Sequence, residues 1–238
     1  MNHKRRFGSL RKEGFNLAIP GTLSDFMKRL PVLFLGYFLV AVGIVANLYA
    51  NLGTSPWGVL HVGLTNITPL TLGQATQLVG LVIVVASWAL GFAPGFGTLA
   101  NMIFIGFFVD ITIYFNVIPF QTQIVWQLIQ LIGSIVIIGI GAFFYLRTQL
   151  GAGPRDGLMV ALTKKLDKPI SYVRVPMDVT VSIIGYLLSG PLGLGTVITA
   201  LSLGYSIQLF FKLGKFDSKS KQLNLFELYQ ILKNRHYQ

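Results

Sequence analysis

Four charged residues in the second half of the chain are spaced as ion-recognising groups would be. Arg155 and Asp156 follow Gly153-Pro154, and Arg174 and Asp178 stand four apart. Four residues make about one helical turn, roughly 6 Å along the axis, so the second pair shares a face and can neutralise itself. The planar guanidinium of Arg155 suits a carboxylate or phosphate, which it can hold with two parallel hydrogen bonds. A helix start adds unpaired N–H groups and a positive dipole end. Asp156 can neutralise or cap that end. In the first half Ser55-Pro56 marks a comparable start, with Ser55 as side-chain cap and Pro56 at the first helical position. Ser55, Pro56, Arg155, Asp156, Arg174 and Asp178 are therefore the candidate substrate-binding residues. Two plainer roles compete: an Arg155 that snorkels to headgroups, and an ion-pair network that only locks helices together.

Asp110 is the most isolated carboxylate. It can serve as a proton or ion relay, or as a structural carboxyl bonded to a neighbouring helix. His61 stands alone in an apolar stretch, where packing with one hydrogen bond is commoner than metal ligation. Ser55 has no His–Asp partners, and the Gly-rich stretches near Gly95 and Gly193 lack the Lys-Ser/Thr of a phosphate loop. With no Cys, disulfides and thiolate chemistry are excluded. No catalytic set, metal site or cofactor motif is expected.

The elements that position these residues are set by a composition unsuited to water. The 238 residues are 53% hydrophobic and 11% charged, with a mean hydropathy of +0.66. Of the 27 charged residues 26 lie outside residues 30–146, where Asp110 is the only one. The expected class is an all-α, polytopic membrane helical bundle. The net charge of +11 would suggest nucleic acid in a soluble protein. Here Lys and Arg cluster in the N-terminus through Arg29, in Arg147–Arg174 and from Lys212 onward, as cytoplasmic segments do. A basic leader without a small-residue cleavage site argues against a signal peptide.

Six segments approach the roughly 20 apolar residues of a crossing helix: 31–50, 72–92, 98–116, 124–146, 173–189 and 196–212. Two more, 54–66 and 153–165, are helical in pattern but reach only about 18 Å, which makes them half-helices, re-entrant or interfacial. An offset of 98 residues exposes a duplication. Gly53, Pro56, Gly95, Gly97, Thr98 and Gly106 recur as Gly151, Pro154, Gly193, Gly195, Thr196 and Gly204. Three crossings per repeat turn the second repeat upside down, and the basic loops then fall on one side with both termini cytoplasmic. The chain divides into a basic N-terminal segment, 1–30, repeat 1, 31–116, repeat 2, 117–212, and a basic tail, 213–238. Residues 22–30 and 222–235 read as cationic amphipathic segments drawn to anionic lipid. Ala41, Gly43, Gly139 and Gly141 read as the small residues of a close helix pair.

LGTSPWGVLHVGL (52–64), LGAGPRDGLMVAL (150–162), the Arg174–Asp178 step and GLGT (193–196) together resemble the YczE/YyaS/YitT-type bacterial integral membrane proteins, and the YczE-like branch in particular. The resemblance spans about residues 30–212 and implies a multi-pass bacterial plasma-membrane protein from a family of poorly defined activity. The chain departs from that pattern at Gly58, where members often carry Asp after SPW, at Asp178, where Glu is common, and at Tyr205, where Pro often follows the Gly.

The leading expectation is a transporter-like protein, not an enzyme, that binds a small anionic or zwitterionic solute between the half-helix starts and exposes it alternately as the repeats rock. Its other partners would be the bilayer and anionic lipid at the basic termini, with no nucleic acid. The rival expectation is a membrane scaffold or accessory protein that binds a partner protein or lipid through its tails.

Overall fold

The computed structural model describes residue 20, residues 22–217 and residues 220–234, with Ser171 and Asn234 described in backbone only. These residues form α1 (Leu23–Tyr49), α2 (Pro56–Ile67), α3 (Leu72–Ala89), α4 (Phe96–Tyr114), α5 (Ile124–Leu146), α6 (Pro154–Leu166), α7 (Ile170–Leu187), α8 (Leu194–Leu213) and α9 (Leu225–Asn234). The protein is a polytopic all-helical membrane bundle. Among the described residues α1, α3, α4, α5 and α8 are long and apolar enough to cross a membrane. The sixth expected crossing, α7, has 18 residues, but Arg174, Pro176 and Asp178 interrupt its apolar run.

The central helix is α1. Leu33, Tyr37, Ala41 and Val45 are completely buried, and they pack with Ala100, Ile105 and Val109 of α4 and with Ala142 and Tyr145 of α5. Glycines set the α1–α5 approach. A Cβ on Gly36 would lie 2.7 Å from the Tyr145 amide nitrogen and 2.8 Å from the Gly141 carbonyl oxygen, so the backbones meet directly. Gly139, expected in this pair, instead faces Ser206 and Phe210 of α8.

Contacts recur at the 98-residue offset. Leu150 O accepts from Gly97 N at 2.8 Å, and Leu52 O accepts from Gly195 N at 2.6 Å. Thr98 and Thr196 each accept from the amide of the glycine three residues before, at 3.1 and 3.2 Å. The left-handed residues Asn51, Gly53 and Gly91 have counterparts in Gln149, Gly151 and Ser189. The short helix α2 sits inside this frame. In α2, Pro56, Trp57, Val59, His61 and Gly63 are buried, a burial that suits the bundle interior and not a helix lying flat at the surface.

Two terminal expectations change. Residues 22–30 are not a separate amphipathic segment but the opening turns of α1, which runs through Pro31. The lost backbone bond is tolerated because this end is anchored: Arg29 Nη1 donates to Thr148 O at 2.8 Å and Phe26 packs edge-on to Phe96. The tail docks on its own bundle. Leu223 N donates to Gln149 O and Leu225 N to Pro94 O, both at 3.0 Å, and Leu223 and Leu228 are buried. Of the face expected on 222–235, Leu232 packs against the core and Leu225 is half-buried, whereas Phe226 and Tyr229 are exposed. The rest of the basic N-terminal segment and of the tail, residues 1–19, 21, 218–219 and 235–238, lies outside the described residues.

Candidate functional site

The first turns of the two half-helices are built differently. At α2, Ser55 Oγ accepts from Gly58 N at 3.2 Å, and Pro56 opens the helix where no amide donor is needed. The turn is fixed from behind by Asn47 of α1. Its Oδ1 accepts from Ser55 N at 2.9 Å and from Thr54 Oγ1 at 3.0 Å, and its Nδ2 donates to Ser134 of α5 and Thr199 of α8, both at 3.0 Å. At α6 the cap residue is Gly153, which offers no side chain, and Asp156 sits in the first turn. Tyr145 holds that carboxylate, its hydroxyl donating to Asp156 Oδ2 at 3.3 Å. Tyr145 is the 98-offset counterpart of Asn47, so each half-helix start is tied to the end of the long helix before it.

Side chains from both half-helices meet. The Arg155 guanidinium lies over the Trp57 ring, 4.9 Å from its centroid. Trp57 Nε1 donates to Asp178 Oδ1 at 3.0 Å, and Asp178 Oδ2 is 3.6 Å from Arg174 Nε. Arg155 lies in electrostatic range of Asp156 and Asp178, and Asp156 in range of both arginines. Two positive and two negative groups from α6 and α7 therefore cluster together, and two of them, Arg155 and Asp178, contact one indole from α2. Among the described residues Arg155 has no hydrogen bond or ion pair, and its direct contact is the indole face. Stacking leaves the in-plane N–H donors of a guanidinium free.

Of the sequence candidates, Arg155, Asp156, Arg174 and Asp178 come together, whereas Ser55 and Pro56 shape the α2 start without reaching the charges. Asp110 lies elsewhere. Its Oδ1 accepts from Gly73 N at 2.8 Å and its Oδ2 from Thr71 Oγ1 at 2.6 Å, the geometry of a carboxylate capping α3 from a neighbouring helix. His61 is buried beside α3, its Nδ1 3.1 Å from Thr76 Oγ1. Residue-by-residue reading missed Trp57, Tyr145 and Asn47. The signal was the repeat register, which sets Trp57 against Arg155 and Asn47 against Tyr145.

A family model described as "Family of unknown function (DUF6198)" matches residues 27–212. The chain belongs to that family. The DUF6198 match holds all four charged site residues and Trp57 and stops before α9. The chain is 34% identical over 179 residues to "Uncharacterized membrane protein YczE" of Bacillus subtilis, covering 72% of this chain and 80% of the relative. It is 33% identical over 186 residues to an "Uncharacterized protein" of Haemophilus influenzae, covering 78% and 84%. It is 26% identical over 198 residues to "Uncharacterized protein YyaS" of Bacillus subtilis, covering 79% and 96%. No solved structure matches the chain.

Proposed function

We propose that this membrane protein carries a small anionic or zwitterionic solute across the plasma membrane of a bacterium, with both termini in the cytoplasm and the solute held at the Trp57–Arg155 junction. One observation carries the reading: an arginine between two half-helix starts, stacked on an indole, with its polar edge unbonded among the described residues. A free guanidinium edge attracts an oxyanion, and Asp156 and Asp178 stand ready for an ammonium group on the same solute. A site built from both repeats also suits alternating access. Trp57 comes from the first repeat and the charges from the second, so rocking of two inverted repeats about this junction would open the site first to one face and then to the other.

The test is solute counterflow in proteoliposomes across a panel of carboxylates, amino acids and phosphate esters. At least one should exchange, and Arg155→Ala should abolish the exchange while leaving the fold intact. No flux and no solute-dependent thermal stabilisation for any of them would overturn the reading. The scaffold alternative draws less support, because the tail spanning Gln222–Leu228 is engaged with its own bundle. Deleting residues 214–238 should leave a transport phenotype largely in place.

A further inference from the structure

The repeats agree in most helix contacts and differ at one seam. In the first repeat α3 lies tightly on α4. Gly73 and Gly106 bring the backbones together, and a Cβ on Gly73 would run into Asp110 at 2.5 Å. In the second repeat α7 and α8 barely touch. The counterpart of Gly106 is Gly204, where an added Cβ would meet the Arg174 guanidinium first, with Nη1 at 3.3 Å. Thr76, at the counterpart position of Arg174, instead bonds within α3 and to His61.

The exposed surface of α7 and α8 is mainly apolar, with Thr180, Gln208 and Lys212 as its exposed polar side chains. Tyr172, Val175, Val179 and Ile183 stand exposed along α7, and Leu201, Tyr205 and Leu209 along α8. Between the two helices stands Arg174, whose side chain is 38% exposed, whose Nη1 lies beside Gly204 and whose Nε pairs with Asp178 inside the site. A charged group on a membrane bundle is costly unless a counter-ion meets it, and the Asp178 pairing engages Nε rather than the Nη groups beside Gly204. The repeat has closed one such seam with glycines and lined the other with an arginine.

We propose, resting on the transport reading, that the solute is an amphiphile with an anionic headgroup which enters sideways from the bilayer through the α7–α8 seam, guided by Arg174 towards Arg155. The acyl chain stays in the apolar seam, and the headgroup passes Gly204 to reach the stacked guanidinium. A fatty acid carboxylate and a lipid phosphate share this chemistry, and a free small anion is the competing source.

Trp57 provides the readout, since Trp88 and Trp126 are exposed and can be replaced by Phe. In full-length W88F/W126F protein in phosphatidylcholine nanodiscs, stearate carrying a nitroxide near its carboxylate should quench Trp57 saturably, and unlabelled oleate should compete. A nitroxide-labelled phosphatidylglycerol tests the lipid phosphate, labelled phosphatidylcholine the uncharged control, and inorganic phosphate the free anion. Arg174→Gln should weaken the apparent affinity about tenfold, the value of one charge-assisted hydrogen bond. Gly204→Ala, which presses on the Arg174 head, should weaken it less while leaving the melting temperature near that of the parent. Equal quenching by charged and uncharged amphiphiles, or quenching indifferent to both substitutions, overturns the proposal. If inorganic phosphate perturbs Trp57 through Arg155 and no amphiphile competes, the lateral route fails and the transport site stands. If nothing reaches Trp57, both fail.

Discussion

Asn47 joins four elements through one amide, and its removal should loosen the fold and the α2 start together. The side chain is 1% exposed. It donates to Ser134 on α5 and Thr199 on α8, and it accepts from Thr54 and from the Ser55 amide at the head of α2. Interhelical hydrogen bonds in membrane bundles average about 0.6 kcal/mol, so these four bonds together contribute about 2–3 kcal/mol. Asn47→Ala should destabilise by that amount, and Ser134→Ala or Thr199→Ala by about 0.6 kcal/mol each. Because the bonds share one hub, the Asn47→Ala/Ser134→Ala double variant should fall short of additivity. Helix loss on titrating detergent-solubilised protein with dodecyl sulfate, read by circular dichroism, measures each value. An Asn47→Ala variant within about 0.5 kcal/mol of the parent would refute the hub, because even one average bond exceeds that.

Three further outcomes follow from other contacts. Gly36→Ala should cost about 1–3 kcal/mol, since its Cβ would press on the backbone of α5, whereas Gly133→Ala, with nothing within 4 Å, should be neutral or slightly stabilising in the same titration. Asp110→Ala should cost about 1 kcal/mol through the lost cap of α3, while Asp110→Asn should keep an acceptor for Gly73 N and leave the pH profile of counterflow unchanged; a shifted profile would point to a relay. Glu227 is held below the usual carboxylate range, first by its bond from Lys221 and then by the Asn224 amide. A depressed folded-state value means that its contribution to docking of α9 is present above the ordinary glutamate value and is lost as pH falls through the lower one. Protection factors for amide exchange of residues 223–234, corrected for the intrinsic slowing of exchange in acid, should therefore fall as the pH drops below the ordinary glutamate value of about 4.3, and Glu227→Gln should flatten that dependence.

Much of the fold was legible because membrane helices carry simple signals. Apolar length marked α1, α3, α4, α5 and α8. Pro56 and Pro154 together with short reach marked α2 and α6, and glycine and threonine punctuation exposed the duplication. What sequence periodicity missed came from tertiary anchoring. Residues 22–30 look like a surface helix until Arg29 is seen to bind Thr148 O, which makes them part of α1. The tail shows an amphipathic face, but the burial of Leu223 and Leu228 against the bundle turns Phe226 and Tyr229 outward. Within the site the charges announced themselves, since ionised groups are costly in an apolar chain. Trp57 did not, because an indole in a hydrophobic helix looks like packing until its ring faces a guanidinium and its N–H faces a carboxylate.

The absence of native cysteine makes the junction directly accessible to a chemical probe. Trp57→Cys places one thiol where the half-helices meet, and its labelling by a membrane-impermeant maleimide can be measured from each face of sealed vesicles. The account predicts labelling from both faces. Labelling from one face alone, or none from either while the protein remains folded, would contradict it.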